Sequence, residues 1–571
     1  MYDYMGPLRI PNIFFFIFGA SLTLALLSGC GISANTNPTS SSSSSGNPSG
    51  SAGCGATGSP STNSASASSI DVVTYHYDNL RTGENTNEAI LTPMNVNSTK
   101  FGKLGEFAVV GKVDAQPLYL SNLSIPGVGT KNVLYVATEH GCVYAFDADS
   151  IGSSASKPIW VTYTKLPDEV PSDDRGCGQV TPEIGVTSTP VIDRTRGAIY
   201  VVAVSKNGAG NYIHRIHALD LTTGAELFGG PTIVTASYPN ASGGSVVFDP
   251  SLYNERPGLL ELNGTIYTTW GSHCDAGPYT SWVMAYSADT LKQTSVLNLT
   301  PNGSDGGIWM SGAAPALDAS WNIYFIVSNG TFDTSLNAGF PSQHDCGNCF
   351  AKISPISSSP PLSLVDYFTP SNTVTQSDQD LDFGSGGPLL LPDLMDASGM
   401  TRHLAVGSGK DANIYVLDRD NMGKFNSGAD NIYQFIPGEL SGGEFGKPSY
   451  FNNTVYYGAV GDTLKAFPIT NAKLATTPAS QSPTNFAYPG TTPSISANGA
   501  TNGIVWAAEN GNTGVLHAYD ATNVGKEFYN SNQASSGRDQ FADNKFITPM
   551  VANGRVYVGT PTSVAVFGLL P

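Results

Sequence analysis

Residues 187–204, TSTPVIDRTRGAIYVVAV, and the stretch that follows at 214–224, HRIHALDLTTG, decide the fold. A short apolar segment begins directly after a proline, a charged turn follows, and a second segment is rich in Val, Ile and Tyr. A third segment alternates apolar and polar residues and ends near an aspartate. Short β-branched and aromatic runs between polar turns are typical of antiparallel strands. The two stretches therefore predict three consecutive strands of one small sheet.

This three-strand unit recurs along the chain. Residues 547–560, ITPMVANGRVYVGT, and SVAVFG at 563–568 form another copy. The third strands read VYAFDAD, IHALDL, VMAYSAD, CFAKIS, IYVLDRD, LKAFPI, LHAYDA and VAVFG. Each copy is marked by a proline near its start, and these prolines are Pro117, Pro190, Pro250, Pro315, Pro388, Pro448, Pro493 and Pro549.

Eight copies at fairly regular intervals predict an all-β fold, a single eight-bladed β-propeller of four-stranded antiparallel blades. Two separate β-domains are a poorer interpretation, because no linker interrupts the spacing in the middle of the chain. The last copy has only three strands, and a propeller must close its ring. Residues 101–109, FGKLGEFAV, are therefore predicted to supply the missing outer strand of blade 8.

Residues 1–69 differ in composition from the rest of the chain. Residues 13–27 form an apolar run that is too short for a membrane span, and the run ends in LSGC at 27–30. This pattern resembles a bacterial lipobox, which implies a signal peptide over 1–30 and lipidation of Cys30. Residues 31–69 are mostly Ser, Gly, Asn, Thr and Pro and are predicted to form a disordered tether. Residues 70–571 remain for the propeller.

These features predict an exported protein that is lipid-anchored to the bacterial envelope, at the periplasmic face or the cell surface of the outer membrane. The lipid would be its only contact with the membrane. The chain has a formal net charge of −18. An acidic surface repels phosphate backbones, so nucleic acid is excluded as a partner.

The chain has seven cysteines, and export would expose them to an oxidising compartment in which disulfides are the default. Cys30 is assigned to the lipid and Cys54 to the tether. The candidates for disulfides are the five cysteines of the predicted propeller, namely Cys142, Cys177, Cys274, Cys346 and Cys349.

Residues 344–350, HDCGNCF, contain two of these cysteines at C-x-x-C spacing. A zinc site would need a second such pair, and the sequence has none. Cys346 and Cys349 are therefore expected to be oxidised, either to each other or to loop partners such as Cys274. Cys177 is expected to pair with Cys142 or Cys274.

Third strands that read AFDAD or ALDLTTG resemble those of the pyrroloquinoline quinone (PQQ) dehydrogenase-like superfamily, and the resemblance covers about 100–571. The lead-in at 72–97, VVTYHYDNLRTGENTNEAILTPMNVN, is similar to bacterial exported proteins labelled PQQ-binding-like. In quinoprotein dehydrogenases a Trp stacks on the quinone, calcium polarises its carbonyl, an Asp is the base, and a Lys or Arg contacts a quinone oxygen. The resemblance implies PQQ and Ca²⁺ as cofactors and a small alcohol or polyol as substrate.

Two stretches carry the resemblance at the expected site. In GGIWMSGAAPALDASWNIYFIVSNG at 306–330, Trp309 would stack on the quinone and Asn329 would bind calcium. In DLDFGSGGPLLLPDLMDASGMTRHLAVGSGKDANIYVLDRDNMG at 380–423, Lys410 would contact the quinone oxygen. Trp309 as a tryptophan packed inside a blade is the alternative interpretation.

Two aspartates complete the implied site. Asp345, in the loop after Asn329, would be the catalytic base and a further calcium ligand, with Asp333 as the second choice. Asp275 would take the place of the family's calcium-binding Glu, one methylene shorter. The alternative for Asp275 is a solvated loop aspartate.

Two features leave a second function open. Many quinoprotein alcohol dehydrogenases cover the other face of the quinone with a disulfide between adjacent cysteines, and this sequence has no adjacent pair. It also lacks a C-x-x-C-H haem motif, so electrons would leave to a separate acceptor. The alternative is a non-catalytic propeller, a binding or assembly scaffold that takes an envelope protein as its partner.

Overall fold

Eight antiparallel sheets follow one another along the part of the chain that the structure describes, which comprises residues 70–151, 157–355 and 361–571. The structure is a computed structural model. Each sheet contains one copy of the sequence repeat, and the sheets form the eight blades of one β-propeller. The predicted all-β class and blade number are confirmed. The predicted signal peptide at 1–30 and tether at 31–69 lie outside the described residues.

In each of the first four blades the strands follow chain order, and in blade 4 a separate short hairpin lies between the second and third strands. Blade 1 contains Leu118–Ile125, Gly129–Thr138, Cys142–Asp147 and Trp160–Tyr163. Blade 2 contains Val191–Asp193, Ala198–Lys206, Tyr212–Asp220 and Thr232–Ile233. Blade 3 contains Leu260–Leu262, Thr265–Ser272, Trp282–Ser287 and Gln293–Asn298. Blade 4 contains Ala316–Leu317, Ile323–Ile326, Phe350–Ser354 and Ser363–Phe368.

The next three blades repeat this order, and the eighth borrows its last strand from the start of the domain. Blade 5 contains Leu389–Leu390, Leu404–Gly407, Ile414–Asp418 and Gln434–Ile436. Blade 6 contains Ser449–Phe451, Thr454–Tyr457, Asp462–Thr470 and Ser480–Phe486. Blade 7 contains Ser494–Asn498, Thr501–Glu509, Val515–Asp520 and Asn523–Asn530. Blade 8 contains Met550–Ala552, Arg555–Gly559, Ser563–Leu569 and Phe101–Ala108.

Short elements decorate the blades. Additional strands are Glu84–Asn85, Val170–Asp173, Glu183–Ile184, Ser237–Pro239, Ser245–Val247, Tyr253–Asn254, Leu336–Asn337, Phe340–Pro341, Leu394–Met395, Thr401–Arg402 and Lys473–Leu474. Helical turns are the α-helix Thr373–Asp378 and the 3-10 turns Pro250–Leu252, Met310–Gly312, Phe383–Ser385, Ser531–Gln533 and Ser535–Gly537. None of the helices among the described residues is long and apolar enough to span a membrane.

The ring closes as the sequence predicts. Phe101–Ala108 pairs antiparallel with the C-terminal strand Ser563–Leu569, so the fourth strand of blade 8 comes from the beginning of the domain. The Phe101 side chain is fully buried, and its ring centroid lies 5.0 Å from that of Tyr529 and 5.4 Å from that of Trp506 in blade 7. The closing strand therefore also joins blade 8 to blade 7.

Tyrosines in the second strands connect neighbouring blades. The Tyr135 hydroxyl donates a hydrogen bond of 2.9 Å to the Leu221 carbonyl, which follows the third strand of the next blade. Tyr200 makes the equivalent bond to Ala288, and Tyr456 makes it to Ala521. Because a buried phenol needs a partner, this repeated contact explains why Tyr recurs in the sequence repeat.

Seven of the eight marker prolines directly precede the first strand of a blade, but Pro250 does not. It begins the 3-10 turn Pro250–Leu252, where a proline's fixed φ and missing N–H suit the first position. The first strand of blade 3 begins at Leu260, so Pro257 occupies the place that the sequence interpretation gave to Pro250. The predicted marker for that blade is wrong.

The segment 72–83 runs through the centre of the ring. Its backbone carbonyls accept hydrogen bonds of 2.7 to 3.0 Å from the first strands of six blades. The donors are the N–H groups of Tyr119, Ile192, Leu317, Leu390, Tyr450 and Ile495. Gly83 has a φ of +75°, and a Cβ there would stand 2.4 Å from the Ser449 hydroxyl, so only glycine fits at this crossing. The first strands of these blades thus find backbone partners in this segment, and that of blade 7 also pairs with the short strand Glu84–Asn85.

Phe101 allows a test of ring closure. Phe101→Ala is expected to lower the free energy of unfolding by about 3 to 5 kcal/mol, because it leaves a cavity between two blades. Phe435→Ala is the matched control, since Phe435 is 40% exposed and its truncation removes the same atoms near the surface. Urea denaturation of both variants measures the difference. Equal losses in the two variants would contradict the role of the closing strand.

Candidate functional site

The loops at one end of the blades surround a cavity of about 710 Å³. In an antiparallel blade the start of the first strand and the end of the second strand lie at the same edge, so both kinds of loop meet there. The loops that lead into the first strands of blades 3 to 8 contribute, in this order, Arg256, Trp309, Asp382, Phe445, Tyr488 and Phe546. Loops after the second strands contribute Asp275, Asn329 and Lys410. Six neighbouring blades, from 3 to 8, therefore share one cavity.

Four of the five residues implied by the resemblance line this cavity, namely Asp275, Trp309, Asn329 and Lys410. The fifth, Asp345, does not. Its buried carboxylate accepts hydrogen bonds from the backbone N–H groups of Asn302 and Gly303, at 2.9 and 3.2 Å. Asp345 thus fixes a turn, and the expectation that it stands beside the other four is wrong.

Trp309 is half-buried at the cavity wall rather than packed inside a blade. A Cβ on Gly271 would lie 3.2 Å from its ring, so this glycine lets the indole rest on the second strand of blade 3. The indole N–H donates to the Ser272 hydroxyl at 3.1 Å. The following residues Met310 and Ser311 have positive φ, which turns the chain sharply towards the axis. The ring is therefore held in one orientation.

Asp275 belongs to the same network. Its carboxylate accepts hydrogen bonds from the Ser272 hydroxyl at 2.5 Å and from the Gln179 amide at 3.1 Å. A disulfide between Cys177 and Cys274 joins the two loops that carry Gln179 and Asp275. Of the two pairings considered for Cys177, the one with Cys274 is confirmed, and Cys142 is a buried free thiol.

Lys410 lies between two aspartates. Its ammonium is 2.6 Å from the Asp382 carboxylate and 2.7 Å from that of Asp380. The backbone N–H of Asn329 donates to the same Asp382 carboxylate at 2.7 Å, and the Asn329 side-chain amide donates to Asp380 at 3.1 Å. Asp382 is buried whereas Asp380 is exposed, so the lysine connects an inner carboxylate with one in solvent.

Burial raises the pKa of the Asp382 carboxyl above its ordinary value, and the Lys410 ammonium limits that rise. Burial acts against the charge on Lys410, yet the Asp382 and Asp380 carboxylates raise the pKa of this lysine. A buried carboxylate with a raised pKa at the wall of a cavity is suited to take up a proton.

The sequence interpretation did not assign a role to Asp382. The signal was present in DLDFGS at 380–385, where an aspartate precedes a buried aromatic turn and the resemblance is strongest.

The HDCGNCF segment acts on the site through Asn348. Cys346 and Cys349 form a disulfide with each other, one of the two pairings that the sequence left open. Between them, the Asn348 amide oxygen accepts a hydrogen bond of 2.7 Å from the backbone N–H of Phe383. Because Phe383 directly follows Asp382, this loop positions the backbone that carries the inner carboxylate.

The donors for a metal ion are sparse. Both oxygens of Asp275 already accept hydrogen bonds, and Asn329 supplies one amide oxygen. In the part of the chain that the structure describes, no group of three or more His, Cys, Asp or Glu side chains is arranged to hold a metal. Calcium takes six to eight oxygen ligands, so backbone carbonyls, water or a bound cofactor would have to supply most of them.

Solved structures resemble the described fold. One is a quinohemoprotein alcohol dehydrogenase from Comamonas testosteroni, at 15% sequence identity and a TM-score of 0.58. Another is the quinohemoprotein alcohol dehydrogenase ADHIIG from Pseudomonas putida HK5, at 13% identity and a TM-score of 0.57. In each comparison 87% of this chain matches 80% of the other chain. The chain has the fold of these quinoprotein propellers. No protein-family model and no curated sequence matches it.

The Cys177–Cys274 disulfide allows a test of how the cavity loops are held. It links residues 97 apart, so the double variant Cys177→Ala/Cys274→Ala is expected to lose about 4 to 5 kcal/mol of unfolding free energy in the chain-entropy account. Urea denaturation with and without dithiothreitol measures this. Reductant should bring the wild type close to the variant. A gap that persists in dithiothreitol would show that the loss comes from packing and not from the disulfide.

Proposed function

We propose that the chain is an alcohol or polyol dehydrogenase that binds PQQ in the cavity and uses Asp382 as the base. The observation that carries the proposal is the grouping of a half-buried tryptophan, a lysine and a buried carboxylate in one cavity of this propeller. The same fold in quinohemoprotein alcohol dehydrogenases supports it. Export and lipid anchoring through Cys30 remain part of the proposal.

The residues at the cavity fit a flat, anionic quinone. The volume lies within the range of small-molecule sites. Trp309 presents an aromatic face that suits stacking, and its hydrogen bond to Ser272 fixes the plane of the ring. Lys410 and Arg256 supply positive charge at the wall. Phe445, Tyr488 and Phe546 line the side formed by blades 6 to 8. Trp309 and Lys410 would hold the cofactor.

The calcium part of the prediction has weaker support. Asp275 and Asn329 both line the cavity and would hold the ion, but no group of three or more His, Cys, Asp or Glu side chains in the described part of the chain is arranged around a metal. We therefore derive no step through a metal ion.

The residues of this chain account for the proton. When bound, PQQ supplies the two-electron acceptor for the hydride equivalent that leaves the alcohol carbon. Asp382 takes the hydroxyl proton, because its carboxylate is buried at the wall and held by the N–H of Asn329. Lys410 keeps that carboxylate ionised before the reaction and connects it with the exposed Asp380. The product is the aldehyde or ketone.

Binding and turnover test the proposal together. The purified full chain is expected to bind PQQ at micromolar concentration, with a bound-quinone absorption spectrum, and to reduce a dye when an alcohol is added with Ca²⁺ present. Asp382→Asn should keep the bound spectrum and lose turnover by a factor of about 10² to 10⁴, the usual contribution of a general base.

Asp345→Asn is the matched control, because the same change at a carboxylate outside the cavity should leave turnover near the wild-type rate. The opposite pattern, with loss in Asp345→Asn alone, would show that the base is misassigned. Absence of binding at micromolar PQQ would reject the enzyme and favour the scaffold in the cell envelope.

The pH profile tests the Lys410–Asp382 pair. The acid limb of kcat/KM should lie above the ordinary Asp pKa of about 3.9, because burial raises the pKa of Asp382 and only the ionised form accepts a proton. Lys410→Gln removes the cation that lowers this pKa, so the limb should move to higher pH by about one unit or more. Lys424→Gln, which breaks an ion pair with Asp366, is the control and should not move it. An acid limb that lies at the same or a lower pH in Lys410→Gln would contradict the proposed effect of Lys410 on the pKa of Asp382.

A further inference from the structure

Arg256 lies at the cavity wall without a counter-ion. Its side chain is only 3% exposed, yet it lines the cavity. Its guanidinium forms no hydrogen bond and no ion pair with any residue that the structure describes. Its guanidinium carbon stands 5.3 Å from the ring centroid of Phe546. A Cβ on Gly312 would come within 3.3 Å of its Nη1 atom, so the glycine leaves room for it. A buried cation in this state is costly unless an anion pairs with it.

The acidic residues nearby do not neutralise the arginine. Burial raises the pKa of Glu139 and of Glu255 well above the ordinary value, and it raises the pKa of Glu444 to about 8. Burial thus disfavours the charged form of these three carboxyls. Asp114 is bound by Lys112 at 3.1 Å, and none of the aspartates that line the cavity forms an ion pair with Arg256 among the described residues. Arg256 therefore keeps an unpaired charge at the cavity wall.

Lys545 is another cation whose charge interacts with that of Arg256. It directly precedes Phe546, and its ammonium donates to the Gly178 carbonyl at 2.8 Å. Burial, together with the charges of Lys112 and Arg256, lowers the pKa of Lys545. Burial is the main cause of this lowered pKa, and the nearby cations add to it.

Aromatic rings stand beside the cations. The ring centroids of Phe445 and Tyr488 are 5.5 Å apart, and those of Tyr488 and Phe546 are 5.9 Å apart, both in edge-to-face contact. All three rings line the cavity on the side of blades 6 to 8. This wall combines apolar faces with one buried positive charge, which suits a carboxylate on a planar or apolar body.

We propose that Arg256, with Phe445, Tyr488 and Phe546 around it, forms a carboxylate subsite of the cavity. The existence of the subsite is inferred from the unpaired arginine. The identity of the molecule that carries the carboxylate, here called the carrier, rests on the proposed function. Two carriers share this chemistry, namely the quinone and a hydroxy-acid substrate.

Calorimetric titration of the full chain, without quinone, tests the subsite directly. Benzoate is the probe, and benzyl alcohol is its uncharged match. Arg256→Gln should weaken benzoate binding at least about tenfold, since a hydrogen-bonded charge pair is lost, and should leave benzyl alcohol unchanged. Arg256→Lys should recover part of the benzoate affinity, because the charge returns without the planar donor pair. Equal benzoate affinity in the wild type and Arg256→Gln would overturn the proposal.

Thermal unfolding gives a second readout that does not need measurable affinity. Benzoate should raise the Tm of the wild type and not that of Arg256→Gln, because only a ligand that binds the native state stabilises it. Without ligand, Arg256→Gln should raise the Tm, since it removes an uncompensated buried charge. A lowered Tm together with an unchanged benzoate effect would show that the arginine has a structural role only.

Further measurements with PQQ and substrates distinguish the two carriers. If the quinone supplies the carboxylate, Arg256→Gln should weaken PQQ binding about tenfold or more, and benzoate should compete with PQQ. If the substrate supplies it, PQQ binding should be unchanged, KM for mandelate should rise by a similar factor, and KM for benzyl alcohol should stay the same. A chain that binds benzoate through Arg256 but never binds PQQ would reject the proposed function and keep the subsite.

Discussion

The hydrogen bonds between the segment 72–83 and the first strands of the blades are the constraint on which the rest of this structure depends. First strands at the centre of a ring have unpaired backbone groups on the axial side, and burying such groups unsatisfied is costly. Six blades meet that need with the same short segment. Arg81 strengthens it, since its buried guanidinium donates to the Pro315 carbonyl of blade 4 and to carbonyls within the segment itself. The positions of the loops at the cavity follow from this arrangement, because each loop begins or ends at a strand that the ring has fixed.

Burial on the axis also explains the electrostatics of the site. Carboxyls in the loops of blades 1, 3 and 6 are taken out of water by the packing of the blade loops, and burial raises the pKa of Glu139, Glu255 and Glu444. Asp382 is also buried, which raises its pKa, but it forms an ion pair with Lys410, whose charge lowers that pKa. The same packing that stabilises the ring thus raises the pKa of all four carboxyls, and Asp382 differs from the three glutamates by its ion pair with a lysine.

The repeat could be predicted from the sequence because each blade obeys the same local rule. The third strands and the closing strand Phe101–Ala108 follow from alternation and from the need to complete blade 8. Trp309, Asn329 and Lys410 could be placed because they lie at short, fixed distances from strand ends. Asp345 could not, since the loop from 327 to 349 is long and folds back on Asn302 and Gly303. The central segment 72–83 was also out of reach, because its partners are spread over most of the chain and no periodicity marks them.

The C-x-x-C loop shows why a motif next to a site can mislead. Its cysteines and its aspartate are the conspicuous residues, but the contact that reaches the cavity is made by Asn348, whose amide oxygen accepts from Phe383 N–H and whose amide nitrogen donates to Gln376. The disulfide keeps Asn348 in a tight turn at a positive φ of 54°. That turn fixes the backbone behind Asp382, while the ion pair with Lys410 fixes its side chain. The carboxylate is therefore oriented from two directions by residues that are distant in sequence.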